Sequence, residues 1–166
     1  MSDTTNTQLS NSDSVKLFTQ ESSGLTLPDT PSKMNRDEVK FITRMVFSEL
    51  AELCATVTDS SSDCQKFLQE CLDSIDQPKI KEFLEEEEII AEQYDSFVDA
   101  WYYMLNCSCK KGVNLDKIFQ VVHNANMNKR FPDGSFHRRE DGKVIKPDNW
   151  KEPDIISEIK RQMKKS

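Results

Sequence analysis

Apolar residues recur every three or four positions through a long central stretch of the chain that is nearly free of glycine and proline. That spacing is the apolar face of an α-helix, and the alternating β-branched runs expected of strands are missing. The first strong helix is expected from Arg36 to about Val57: Asn35 followed by Glu38 has the form of an N-cap with its partner in the first turn. Its core stripe reads Val39, Ile42, Val46, Glu49, Leu53. After a Thr-Asp-Ser-Ser-Ser-Asp loop, Ser62 with Gln65 caps a shorter helix carrying Phe67, Leu68, Cys71 and Leu72. Pro78 suits the first turn of a third helix, Lys79 to Lys110, bent or interrupted by the acidic run Glu85 to Glu88 and stopped by Gly112. Asn114 caps a fourth, Leu115 to about Asn128, with Leu115, Ile118, Phe119 and Val122 inward. A basic loop, Lys129 to Lys151, and a last helix from Pro153 to Lys164 follow. The glycines and prolines cluster outside these helices, in an irregular N-terminal segment (Gly24, Pro28, Pro31) and in the basic loop. The fold class is all-α, with a disordered tail over 1–14 and a single domain over 15–166.

The chain has 166 residues and a formal net charge of −7, which argues against a nucleic-acid backbone as the main partner. The longest apolar run, Ala100 to Leu105, is about a third of the ~20 residues a membrane helix needs. No membrane is expected as a partner. The first residues lack the basic start and apolar stretch of a secretory signal, so the expected location is cytoplasmic. Five cysteines without a C-x-x-C pair read as free thiols, and two histidines make a zinc site unsupported.

Candidate chemistry lies in the carboxylates. Glu49 occupies a slot where the stripe calls for an apolar side chain, and Glu52 lies one turn further along the same side. The plain alternative is a helix rotated slightly, with both glutamates at a solvated edge. On the long helix, Glu92, Asp95, Asp99 and Tyr102 follow at spacings of three and four, making a polar stripe beside Tyr94, Val98, Trp101 and Leu105. Two such helices packed antiparallel can converge their acids on one hard divalent cation. Mg²⁺ leads, because it binds through a few carboxylates and completes its shell with water and substrate phosphates. Mn²⁺ is a substitute.

Other chemistries lack their residues. A di-iron bundle needs Glu-x-x-His pairs, and neither His123 nor His137 has a Glu three residues before it. No G-x-S-x-G elbow and no phosphate-cradling glycine loop occurs. Positive charge for a phosphate ligand is concentrated near the C-terminus, in Lys129, Arg130, Arg138, Arg139, Lys143 and Lys146, with Asn126 on the helical stripe before them and Trp150 as an aromatic surface. For most single residues of this run a solvated loop is the simpler reading, and His123 alone reads as a capping or core-edge histidine.

These segments together resemble a family. Glu49-Leu-Ala-Glu52-Leu, Phe97-Val-Asp99-Ala-Trp-Tyr-Tyr-Met-Leu and Val122-His123-x-x-Asn126-Met127-x-Lys129 are similar to the all-α nucleoside triphosphate pyrophosphohydrolases, which include MazG-like proteins, phosphoribosyl-ATP pyrophosphohydrolase and the dimeric dUTPases. The tail from Arg139 to Trp150, and Val15-Lys-Leu-Phe with Gly24, Pro28 and Pro31, look most like the phosphoribosyl-ATP-pyrophosphohydrolase-like branch and its leading helix and loop. The resemblance covers about Val15 to Asp154. It implies a MazG-type helical bundle completed by oligomerisation, as a dimer or a pair of dimers, with substrate near subunit contacts. It implies E-x-x-E and E-x-x-D motifs holding Mg²⁺: Glu49 and Glu52 form the first pair, and Asp99 ends the second. Ser96 stands where the second pair's first acid belongs and Ser48 where many relatives carry another; Asp95 and Glu92 share a face with Asp99 and can compensate.

The function so implied is Mg²⁺-dependent hydrolysis of a nucleoside triphosphate to the monophosphate and pyrophosphate. Glu49 or Glu52 orients or deprotonates the attacking water. Lys129 and residues of the 138–146 segment (Arg139, Lys143, Lys146) hold phosphates, Asn126 hydrogen-bonds sugar or phosphate, and Trp150 offers an aromatic surface. The alternatives are phosphoribosyl-ATP as substrate, or a nucleotide- or metal-binding helical homo-oligomer without turnover, which Ser96 favours. Oligomerisation is also expected on physical grounds, because Trp101, Tyr102 and Tyr103 in succession spread apolar surface around one helix.

Overall fold

A computed structural model describes residues 9–82, 85–140 and 142–164, and contains six helices and no strand among them. α1 spans Asn11–Ser23, α2 Arg36–Ala55, α3 Ser61–Asp73, α4 Glu86–Lys110, α5 Leu115–Met127 and α6 Ile155–Met163. The chain is all-α, as its periodicity requires.

The caps explain the boundaries. Asn35 accepts hydrogen bonds from the Asp37 and Glu38 amides at 2.9 and 3.1 Å, and Glu38 returns one from the Asn35 amide at 2.8 Å, a complete capping box at the start of α2. Asn114 and Asp154 cap α5 and α6 through the amides of Lys117 and Ser157. The long helix starts later than its pattern suggested: Lys79–Glu82 is irregular, and α4 opens at Glu86. Glu86, Glu87 and Glu88 fill its first turn, where the exposed amides favour negative charge, and the Glu88 carboxylate accepts the Glu85 amide at 2.8 Å. The acidic run is therefore the start of the helix and not a bend within it.

Residues 1–8 lie outside the described part, but 11–14 are helical: Ser10 accepts the Asp13 amide and starts α1, and Ser14 is buried. α1 ends at Gly24, whose φ of 66° is left-handed and whose amide reaches the Gln20 carbonyl at 3.0 Å.

The chain forms two compact units. The first comprises Thr30–Val98, where α2 packs on α3 and the Gln93 side chain clamps Met34, accepting its amide at 2.7 Å and donating to its carbonyl at 2.9 Å. The second comprises the residues up to Asp29 and from Asp99 onward, where α5 packs against both α1 and α6. In it the Gln162 amide holds the Asn114 backbone at both N–H and carbonyl, and Asn11 donates to Asp116 at 2.8 Å. Ala125 on α5 is buried and Leu115, Ile118, Phe119 and Val122 are half-buried, as expected of that face. The core stripes of α2 and α4 fare differently: Leu53 is 63% exposed and Val98 56%, and Val39, Val46, Tyr94 and Trp101 are exposed too. No described helix is long and apolar enough to cross a membrane.

Candidate functional site

The best-formed part of the candidate site is cationic and aromatic. It lies where α5 ends and the basic segment returns to it. Trp150 is fixed by its indole N–H, which donates to the Ala125 carbonyl at 2.7 Å, and by its amide, which donates to the Pro147 carbonyl at 2.9 Å. Over the ring stand two ammonium groups, Lys146 Nζ at 4.0 Å and Lys129 Nζ at 5.8 Å from its centroid. Lys129 donates to Asn126 Oδ1 at 2.7 Å, which orients the amide and the ammonium together. Burial holds the Lys129 ammonium below the usual lysine range, and the positive charges of Lys146 and Lys143 push it further down. Five residues expected to bind substrate (Asn126, Lys129, Lys143, Lys146, Trp150) thus share one neighbourhood, and an anion placed there relieves the mutual repulsion of three cations. Beside it lies a depression of about 540 Å³ lined by Met127, Arg130, Phe131, Asn149 and Trp150.

The sixth, Arg139, is joined to this cluster through the backbone of Lys143. Its amide donates to the Lys143 carbonyl at 2.9 Å, next to the antiparallel bridge between Arg138 and Val144. The segment is therefore a folded hairpin-like turn. Its supports come from α1, and nothing in the local sequence pattern points to them. Arg138 donates to the Ser22 carbonyl at 2.7 Å and to Ser22 Oγ at 3.0 Å, and Arg130 pairs with Glu21 while its guanidinium lies 4.7 Å from the Phe136 centroid. Phe18 meets Phe136 edge-on at 5.7 Å. Arg130 and Arg138 hold the segment in place and are committed to protein partners.

Both histidines are structural. His123 stacks on Phe119 with centroids 5.9 Å apart, and His137 stacks on Phe131 at 3.9 Å with Ser135 at 3.0 Å.

The carboxylates occupy helix surfaces. Glu49 and Glu52 are exposed on α2, three residues apart and so on one side of the helix. Glu92, Asp95 and Asp99 are exposed on α4, and Glu92 forms an ion pair with Lys81. Ser96, in the slot of the missing acid, donates its hydroxyl to the Glu92 carbonyl at 2.9 Å and so turns back onto its own helix. Among the described residues no group of three or more His, Cys, Asp or Glu side chains is gathered closely enough to hold a metal ion. The donor chemistry nonetheless suits Mg²⁺: each helix offers hard oxygen pairs at i,i+3 spacing, and Mg²⁺ is commonly held by one or two carboxylates plus substrate phosphates.

Comparison with known proteins gives the family. The model of the family described as phosphoribosyl-ATP pyrophosphohydrolase matches residues 24–126, more than half of the chain, including Glu49, Glu52, Glu92, Asp95, Asp99 and Asn126. No curated protein matches. Among solved structures, the crystal structure of a "putative NTP pyrophosphohydrolase" from Exiguobacterium sp. 255-15 is similar, with a TM-score of 0.77 and 27% identity over 95% of this chain and 98% of that one. The fold is that of the helical NTP pyrophosphohydrolases, and the match extends over the C-terminal segment that the family model leaves out. The chain belongs to the phosphoribosyl-ATP pyrophosphohydrolase family, hydrolases that act on the pyrophosphate bonds of nucleotides.

Proposed function

We propose that the chain is a Mg²⁺-dependent nucleoside triphosphate pyrophosphohydrolase that releases a nucleoside monophosphate and pyrophosphate. The observation that carries this reading is the cluster of Lys129, Lys143 and Lys146 around Trp150 and Asn126, which offers several positive charges and an aromatic face to one polyphosphate ligand. Glu49 and Glu52, with Asp99, Asp95 and Glu92, would hold the cation. Mg²⁺, when bound, supplies neutralisation of the charge that develops on the departing pyrophosphate.

The chain's own residues do the rest. Lys129, Lys143, Lys146 and Arg139 hold the phosphates, and their charge-assisted hydrogen bonds strengthen as negative charge gathers on the leaving group. Asn126 donates from its amide to sugar or phosphate while its oxygen keeps Lys129 in place. Glu49 or Glu52 accepts a proton from water as its oxygen attacks the α-phosphorus, and that proton leaves to solvent after the product departs.

A homo-oligomer, dimer or tetramer, is part of the proposal, because it covers the exposed stripes of α2 and α4. The test is pyrophosphate release from a panel of nucleoside triphosphates and phosphoribosyl-ATP, with and without Mg²⁺. Mg²⁺-dependent release from at least one triphosphate is expected. Release from phosphoribosyl-ATP alone shifts the substrate class, and release from none contradicts turnover.

A further inference from the structure

Three of the five cysteines belong to one small region of the Thr30–Val98 unit. Cys54 lies in the last turn of α2. Cys64 and Cys71 are seven residues apart on α3, two turns along the same side of the helix that packs on α2. The Cys64 thiol points at the Ala51 carbonyl at 3.9 Å. Cys71 is a side-chain neighbour of Cys54. Cys54 and Cys71 also line one apolar groove of about 380 Å³ with Phe47, Leu50, Leu68 and Leu72. Two thiols on separate packed helices that line one groove are neighbours across the α2–α3 packing, the placement a disulfide between the helices requires.

We propose that Cys54 and Cys71 are a modification site: a dithiol that takes a reversible intramolecular disulfide from a low-molecular-weight disulfide such as oxidised glutathione, stapling the helix that carries Glu49 and Glu52 to α3. The two thiols have different roles. Cys71 is exposed and Cys54 half-buried, so Cys71 is the one an external disulfide reaches. Cys54, half-buried, is out of reach of the oxidant and in reach of Cys71, which suits it to the second step. In the first step the Cys71 thiolate attacks one sulfur of the oxidant. A Cys71–glutathione bond forms, and one glutathione thiolate leaves. In the second, Cys54 gives its proton to solvent and attacks Cys71 Sγ, expelling the second glutathione thiolate. Two protein thiols are oxidised and one small disulfide is reduced to two thiols, and excess thiol reverses both steps.

The test uses the full chain, equilibrated with oxidised and reduced glutathione in graded ratios and mapped by non-reducing peptide mass spectrometry. The expected product is a Cys54–Cys71 cross-linked peptide pair two hydrogen atoms lighter than the reduced pair. It vanishes with dithiothreitol, persists in C64S and is absent from C71S. The melting midpoint of the oxidised native chain rises above that of the reduced chain. Linkage of Cys54 to Cys64, linkage between chains, or a Cys71–glutathione adduct that Cys54 never resolves overturns the proposal. Because the mapping is done on the native chain, poor folding of a serine variant leaves it decisive.

Discussion

At Lys129 burial and two neighbouring ammonium groups act on one side chain, and all of them disfavour its charge. An anionic ligand reverses that balance. Phosphate bound beside Lys129 therefore holds best while Lys129 is protonated and weakens as pH rises through its lowered pKa, at a lower pH than an ordinary lysine allows. Arginine stays protonated throughout. Lys129→Arg is thus expected to move the alkaline limb of the pH–affinity profile for inorganic pyrophosphate to higher pH, which calorimetric titration from neutral to alkaline pH checks; an unmoved limb contradicts the role given to Lys129. Lys146→Ala is expected to weaken pyrophosphate about tenfold, the loss of one charge-assisted contact of roughly 1.5 kcal/mol. At this scale much is legible: charge and aromatic character single out Lys129, Lys143, Lys146 and Trp150, the helical stripe adds Asn126, and the fold places these residues in one neighbourhood. Glu21 and Ser22 were not legible, because their contacts with Arg130 and Arg138 join residues more than a hundred positions apart and leave no local pattern.

The helices show which sequence signals are local. Caps at Asn35 and Asn114 are written in a few adjacent residues, and the starts of α2 and α5 follow from them. The start of α4 was misjudged because Pro78 offers a starting signal that the acidic run at Glu86 to Glu88 outweighs. α6 carries a testable consequence. Glu158 is buried on it, and its carboxyl is held below the ordinary carboxylate range by the Gln162 amide first and Arg161 next. A carboxyl whose pKa is lowered by folding adds stability that is complete above its unfolded value. That stability is lost as pH falls below the unfolded value and through the folded one. The protection factors of the α6 amides, which are exchange rates corrected for the intrinsic pH dependence, are expected to fall on acidification across that window in the native chain, and Glu158→Gln is expected to flatten the dependence. An unchanged profile in the variant contradicts the link between Glu158 and α6.

The whole molecule exposes what a helical bundle ordinarily covers. Phe41, Leu53, Val98, Tyr102 and Tyr103 are all more than half exposed, with Tyr102 at 70% and Tyr103 at 73%. Periodicity identified the stripes that hold Leu53 and Val98 as apolar, and it could not tell whether the same chain or another copy covers them. A stable interface buries about 800 Å² on each partner, and side chains of this size, at 150–250 Å² for each aromatic, supply it readily. Light scattering at micromolar concentration is expected to give a mass at least twice 19.2 kDa. A stable monomer contradicts the oligomer. Acid pairs on α2 and α4 are likewise legible from spacing alone, whereas among the described residues no three such side chains gather.

The central claim is that the α2 and α4 carboxylates hold the cation on which pyrophosphate release depends. Its most direct test is Mg²⁺-dependent pyrophosphate release by the native chain beside Glu52→Gln and Asp99→Asn, with circular dichroism confirming that each variant is folded. Loss of a preorganised electrostatic contact to the transition state costs about 10²–10³-fold in kcat, so each folded variant is expected to fall by at least about 10²-fold and to need more Mg²⁺ for half its remaining rate. Folded variants that match the native chain in rate and in Mg²⁺ requirement contradict the claim.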